Sequence, residues 1–200
     1  MNKANLDLIE NHRRRSIEVV SDALQSLAGE ISATAQDMIR CLEMGGRIMC
    51  CGNGGSAADA LHFSAELLNR YATDRQPLAA ICLNCDVSTL TSIANDYHFS
   101  EVFAKQVSAL GRPGDMLLAI TTSGNSDNIL KAQERAREAG VHTVLLTGRD
   151  GGAAAAKCGP GDRILCVADQ TTAHIQEAHG AIIHCACALI ERHFTTSAGE

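Results

Sequence analysis

The chain has 200 residues, 46% of them hydrophobic and 20% charged, with a formal net charge of -6. This length and balance describe one ordinary domain with a full core, and they exclude a disordered chain and a membrane protein, since no apolar run approaches bilayer length. The acidic excess argues against a nucleic-acid binder, which would need a basic face.

Met1 to Glu10 is polar and lacks an apolar signal core, so no export signal is read there. Residues 1–45 predict two helices. Leu6, Ile9, Ile17, Val20, Leu24 and Leu27 recur at helical intervals, as do Ile31, Ala35, Met38, Ile39 and Leu42. Gly29 marks the expected break, and Gly45-Gly46 the end of the second helix. Arg13-Arg14-Arg15, between Glu10 and Glu18, reads as a solvated helix face. This amphipathic extension has two open uses, an oligomer interface or packing on the chain's own sheet.

From residue 46 to 194 the pattern changes to short apolar runs separated by helical stretches. Arg47–Cys51, Leu78–Leu83, Met116–Thr121, His142–Thr147 and Arg163–Val167 predict strands. Ser56–Arg70 and Ser126–Ala139 predict helices capped by their first serines. Further helical stretches are expected over Val87–Ile93, Glu101–Leu110 and Thr172–Phe194, with residues 195–200 as a polar tail. Apolar strands alternating with helices mean an α/β fold, here a five-stranded parallel sheet flanked by helices, in a single domain. The nine cysteines do not form a zinc pattern of paired Cys-x-x-Cys motifs. Cys50, Cys51, Cys82 and Cys166 lie in apolar strand-like runs, and Cys185 and Cys187 in an apolar helix. Free buried thiols suit a reducing compartment, so a cytoplasmic location is expected.

Two loops stand out at predicted strand ends: Gly52-Asn53-Gly54-Gly55-Ser56 and Thr121-Thr122-Ser123-Gly124-Asn125-Ser126. In open parallel sheets, ligands sit past the carboxyl ends of the strands. Glycines let backbone approach a ligand, hydroxyls donate to it, and helix N-termini favour anions. The first loop lacks the Lys-Ser/Thr ending of a nucleotide P-loop and the third glycine of a dinucleotide fingerprint. Neither loop carries Lys or Arg, so a single phosphate held by hydroxyls and amides fits better than a triphosphate.

Beyond the first loop, His62 and Glu66 share one helix face, a stripe continued by Asp59 and Asn69. The largely apolar final helix carries His174, Gln176, Glu177, His179 and His184. Polar groups on such a helix are paired in the core or serve a ligand. Gln176 and His184 differ by ~80° of rotation at ~100° per residue, so one site could use both. Glu66 and Glu177 are each a possible base. His62, Glu66, Gln176 and His184 also make a nitrogen/oxygen set for a divalent metal such as zinc, although glutamine is an uncommon ligand.

Cys-Gly-Asn-Gly-Gly-Ser (51–56), Ala-Asn-Asp (94–96), Thr-Ser-Gly-Asn-Ser (122–126), Leu-Thr-Gly-Arg-Asp-Gly-Gly (146–152) and Ile-Gln-Glu-x-His (175–179) together resemble the SIS-domain phosphoheptose isomerases, over nearly the whole chain. The resemblance implies a flavodoxin-like SIS fold and conversion of sedoheptulose 7-phosphate to glycero-manno-heptose 7-phosphate, the first step towards the heptose of lipopolysaccharide. It also implies a homotetramer with active sites between subunits, and zinc. By position it assigns Asn53, Gly54, Gly55, Ser56, Asn95, Asp96, Thr121, Thr122, Ser123, Ser126 and Gln176 to the sugar phosphate. Glu66 and His184 become the catalytic pair, with Glu66 also touching substrate. His62, Glu66, Gln176 and His184 become the zinc ligands. Thr121 stands where serine is frequent, His174 where arginine is common, and Ala173 where some members carry aspartate. A sister branch of the family binds the replication initiator DnaA without isomerase activity, and Asn-Arg-Tyr (69–71) and residues 104–111 would suit it too. His62, Glu66 and His184 together favour the enzyme.

Overall fold

The computed structural model describes residues 2–196. Helices α1 (Lys3–Ser26) and α2 (Ala28–Glu43) come first. The Asn2 side chain caps α1 by accepting the Ala4 amide at 3.0 Å. The break falls at Leu27 rather than Gly29, because Leu27 packs against the core and turns the chain there. Gly29 lies inside α2 in open space, where nothing requires a glycine. After α2 the left-handed Gly45 lets the Gly46 amide return to the Cys41 carbonyl, closing the helix end.

The core then alternates: β1 (Ile48–Gly52), α3 (Gly55–Leu68), β2 (Ala80–Cys82), α4 (Val87–Asp96), α5 (Ala104–Leu110), β3 (Met116–Thr121), α6 (Asp127–Glu138), β4 (His142–Gly148), α7 (Gly152–Lys157), β5 (Arg163–Val167) and α8 (Thr172–Thr196). The five strands are all parallel in the order β2-β1-β3-β4-β5. Successive strand residues face opposite layers. Ile48, Cys50, Leu118 and Ile120 pack under α2, α3 and α8, while Met49, Cys51, Leu117 and Ala119 pack under α5, α6 and α7. The chain leaves β1 for β2 on one side and then returns to β3 on the other. The switch point of the sheet therefore lies between the carboxyl ends of β1 and β3.

Several boundaries differ from expectation for local reasons. β2 is an edge strand and shortens to three residues. The stretch expected as one helix over 101–110 splits into a 3-10 turn (Phe99–Glu101) and α5, because Val102 and Phe103 are both drawn into the core between them. α7 has no sequence counterpart; six residues of Gly-Ala-Ala-Ala-Ala-Lys offer no periodicity. Thr195 and Thr196 extend α8, and the rest of the expected tail, 197–200, lies outside the described residues.

All nine cysteines are free thiols; Cys50, Cys51, Cys82 and Cys187 are buried, but Cys166 and Cys185 only partly. Among the described residues no helix is long and apolar enough to cross a membrane. The N-terminal extension divides its roles. Val19 and Ala23 on α1 and one face of α2 (Ile31, Ala35, Met38, Ile39 and Cys41) belong to the core, whereas Leu6, Leu8 and Ile9 on the first half of α1 are exposed.

Candidate active site

The two glycine- and hydroxyl-rich loops leave β1 and β3, the two strands that flank the switch point. Between them lies a cavity of about 310 Å³ lined by Asn53, Gly54, Gly55, Ser56, Thr121, Thr122, Ser123 and Ser126, with Ile120, Thr172 and Gln176. No charged side chain lines it. Asn53 and Asn128 exchange a pair of amide hydrogen bonds, each 2.8 Å, which bolt the two loops together. Asn84, past β2, holds the first loop by bonding both the amide and the carbonyl of Gly52, at 3.2 and 2.9 Å. Neither Asn84 nor Asn128 stood out in the sequence, since both support the loops from elsewhere in the chain.

The serines play a different part from the capping expected of them. α3 begins one residue before Ser56, with Gly54 at its cap in a left-handed conformation (φ 56°) that a side chain would strain. Ser56 is thereby left inside the first turn, lining the cavity. Ser126 holds the cap position of α6 but makes no capping bond; its hydroxyl pairs with that of Thr121 at 3.2 Å. These hydroxyls, with two helix N-termini at the rim, suit a phosphate. Larger hollows lie elsewhere. One of about 570 Å³ is at the opposite end of the sheet, against Met116, His142 and Arg163, where the strands begin.

Further along α3, His62 Nε2 lies 3.1 Å from Glu66 Oε1. His184 of α8 brings its Nε2 to 3.4 Å from the same nitrogen, the two rings meeting edge to face. Glu66 Oε2 is buried without a hydrogen-bond partner. Asp59, on the same helix face, is also half-buried; burial pushes its carboxyl up to about 6, a rise that His62 opposes. Tyr71 leans over His184, its ring centroid 5.8 Å away. Tyr71 is held by a residue absent from the sequence reading: the buried Glu191 accepts the backbone amides of Tyr71, Ala72 and Thr73 at 2.9–3.0 Å. Burial alone would raise the Glu191 carboxyl, but these amides more than offset it and hold it below the usual carboxylate range.

The cavity and the cluster are served by the same two helices. Gln176 presses its amide against Gly55, where a methyl group would overlap it. Gln176 and His184 lie about 12 Å apart along α8 at ~1.5 Å per residue. Gln176 thus stands at the cavity and His184 at His62. Asn95 and Asp96 end α4, exposed and hydrogen-bonded to each other at 2.9 Å. They do not line the cavity; Asp96 borders an open hollow of about 810 Å³ with Tyr97, His98 and Lys105.

The SIS domain family matches residues 11–148. The phosphoheptose isomerase of Shewanella frigidimarina is 52% identical over 187 residues, 94% of this chain and 95% of that protein. Among solved structures, phosphoheptose isomerase GmhA from Neisseria gonorrhoeae has a TM-score of 0.89 at 44% identity, covering 94% of this chain and 98% of that one. A phosphoheptose isomerase from Francisella tularensis has a TM-score of 0.92 at 43% identity, covering 96% and 100%. The chain belongs to the phosphoheptose isomerase family.

Within that family, the departures at Ala173 and His174 fall outside the cavity. Ala173 is exposed, and His174 is buried at the junction of α1 and α8. This junction corrects two readings. Arg15 is not simply solvated: it donates to the buried Asp169 at 2.5 and 3.1 Å, while pairing with Glu18 at 2.9 Å. Glu177, considered as a base, is engaged at 2.8 Å by His12 of α1. Burial would raise the Glu177 carboxyl, but Ser16 and His12 reverse that and lower it. His179 is a core residue. Its Nε2 donates to the Thr147 carbonyl at 2.9 Å, and burial lowers its pKa to about 4, which keeps the ring neutral.

Proposed function

We propose that the protein converts sedoheptulose 7-phosphate to D-glycero-D-manno-heptose 7-phosphate by enediol proton transfer, the first step towards ADP-heptose and the lipopolysaccharide core. One observation carries the reading. Helix α3 begins at an uncharged, hydroxyl-lined cavity and carries His62 and Glu66 two to three turns further on, where α8 supplies His184. A sugar anchored by its phosphate at the loops would run along α3 towards an acid–base pair. The three relatives named above bear on this through their shared name and their near-complete coverage of the chain. A scaffold for binding DnaA has no use for His62, Glu66 and His184 together.

In this scheme the hydroxyls of Ser56, Thr121, Thr122, Ser123 and Ser126 donate to the phosphate, with Asn53 and the backbone of Gly54 and Gly55 completing the cradle. Asn95 and Asp96 lie outside this cavity, so contact with substrate from the end of α4 would need α4 to approach it. Glu66 removes the C1 proton of the ketose, giving the enediol(ate), and returns a proton to C2. His184 protonates O2 and accepts the proton from O1, which leaves the aldehyde.

His62, Glu66, Gln176 and His184 are the proposed zinc ligands, and Glu66 or His184 would have to leave the ion while it moves a proton. The donors fit chemically, and the 3.4 Å between the two histidine nitrogens matches the spacing of about 3.3 Å between tetrahedral zinc ligands. The unpaired Glu66 Oε2 also favours a cation. Gln176 would have to turn from Gly55, and His184 and Glu66 draw closer together. Zinc there would polarise the carbonyl and hydroxyl oxygens of the sugar and stabilise the enediolate. A cytoplasmic homotetramer completes the proposal, supported by the free thiols and by exposed Leu6, Leu8 and Ile9 on α1.

The test is to incubate the chelator-treated protein with sedoheptulose 7-phosphate, with and without zinc, and assay the aldose heptose phosphate. Absence of product under both conditions would overturn the reading. Glu66→Gln is expected to abolish turnover while substrate still raises the unfolding temperature; loss of that protection would make Glu66 an organising residue rather than the base.

A further inference from the structure

We propose that His12, His174 and Glu177 form a second divalent-metal site, of the zinc type, where α1 crosses α8. The three come from distant parts of the sequence, yet their ligand atoms all lie within 4.8 Å of one another, and among the described residues no other trio of His, Cys, Asp or Glu does so. His12 Nε2 is 2.8 Å from Glu177 Oε1, and the two imidazoles converge with ring centroids 5.0 Å apart. Two histidines and a glutamate are an established zinc set, with a fourth position left for water. His12 is half exposed, so that position opens to solvent.

An ordinary His12–Glu177 ion pair does not account for the junction. It leaves His174, whose side chain is only 10% exposed, with a buried Nδ1 that has no hydrogen-bond partner. Asp169 Oδ1 stands 3.8 Å from that nitrogen, beyond hydrogen-bond reach. A buried imidazole nitrogen with an unused lone pair is costly unless a donor or a metal takes it. Glu177 Oε2 is likewise buried, with the Ser16 hydroxyl as its one nearby donor. The local cation does not fill the need, because Arg15 is committed to Asp169 and Glu18. A bound dication satisfies all of these atoms together. It would also rivet α1, whose outer half is exposed, to the long core helix that serves the active site.

This site is separate from the one proposed at His62 and His184, and the test is built to keep them apart. Co²⁺ serves as the probe, followed by its visible d–d absorption and by equilibrium dialysis of the full-length chain. The His62→Asn/His184→Asn variant should still bind one Co²⁺ per chain in a low-symmetry tetrahedral spectrum. Adding His12→Asn, a half-exposed change on α1, should weaken that binding by at least about a hundredfold and remove the Co²⁺-dependent rise in unfolding temperature. Should the double background fail to fold, His12→Asn alone should lower the metal content of the otherwise unaltered protein by one ion per chain. No Co²⁺ bound in the first variant, or binding undiminished by His12→Asn in either background, would overturn the proposal.

Discussion

Gly55 concentrates the demands of the proposed phosphate cavity on one atom. The Gln176 amide occupies the space that any Cβ at position 55 would take. That amide ends a flexible side chain, so Gly55→Ala should displace Gln176 rather than break the fold. The expected result is a KM raised by about tenfold with the melting temperature within about 2 °C of the parent, read by steady-state kinetics beside a thermal melt. An unchanged KM would mean that Gln176 does not contribute to the substrate site. The glycine run itself was conspicuous in the sequence, and so were His62 and Glu66, because i and i+4 spacing is a local property of a helix. Helix-start serines misled for an equally local reason. Gly54 tolerates a positive φ and starts α3 early, turning Ser56 from a cap into a cavity wall. His12 gave no signal, since its partners Glu177 and His174 lie across the chain on α8.

At the scale of elements, α8 does the most varied work. It offers Gln176 to the cavity, His184 to His62, His174 and Glu177 to α1, and Glu191 to the loop after α3. Replacing Glu191 by Gln keeps its shape but puts an N–H₂ group where carboxylate oxygens received three amides. A loss of about 2 kcal/mol is expected in urea unfolding, with turnover also reduced as Tyr71 loosens over His184. If stability is retained, the loop is held by other contacts. The long elements were legible because burial writes periodicity: β3 and β5 fall on their expected residues, and α8 within two. α7 and the split before α5 were not, because a six-residue helix carries too few turns for a pattern and the split is set by where Val102 and Phe103 find room in the core. Glu191 was invisible for the same reason as His12: its partners are backbone amides far away in sequence.

For the whole molecule, the parallel order β2-β1-β3-β4-β5 was implicit in the alternation of apolar runs and helices, and it brings the two loops side by side. The same packing stakes part of the stability on His179. Burial pushes its imidazole from 6.5 down to about 4, so the folded protein keeps it neutral while the unfolded chain protonates it near 6.5. Between those values the unfolded chain binds the extra proton. The stability is therefore whole above pH 6.5 and falls as the pH drops towards about 4, by up to about 3 kcal/mol from this residue. Urea midpoints measured across that range should show the slope, and His179→Gln should flatten it; an equal slope in both proteins would assign the acid sensitivity elsewhere. The uncharged lining of the proposed phosphate cavity also bears on how a ligand arrives. A dianion approaching a chain of net charge -6 meets no compensating cation among the cavity's own side chains, so electrostatic steering does not hasten its arrival. Capture then depends on fixed dipoles that act only at contact, a mode of recognition selective for ligands whose oxygens match the hydroxyls already in place.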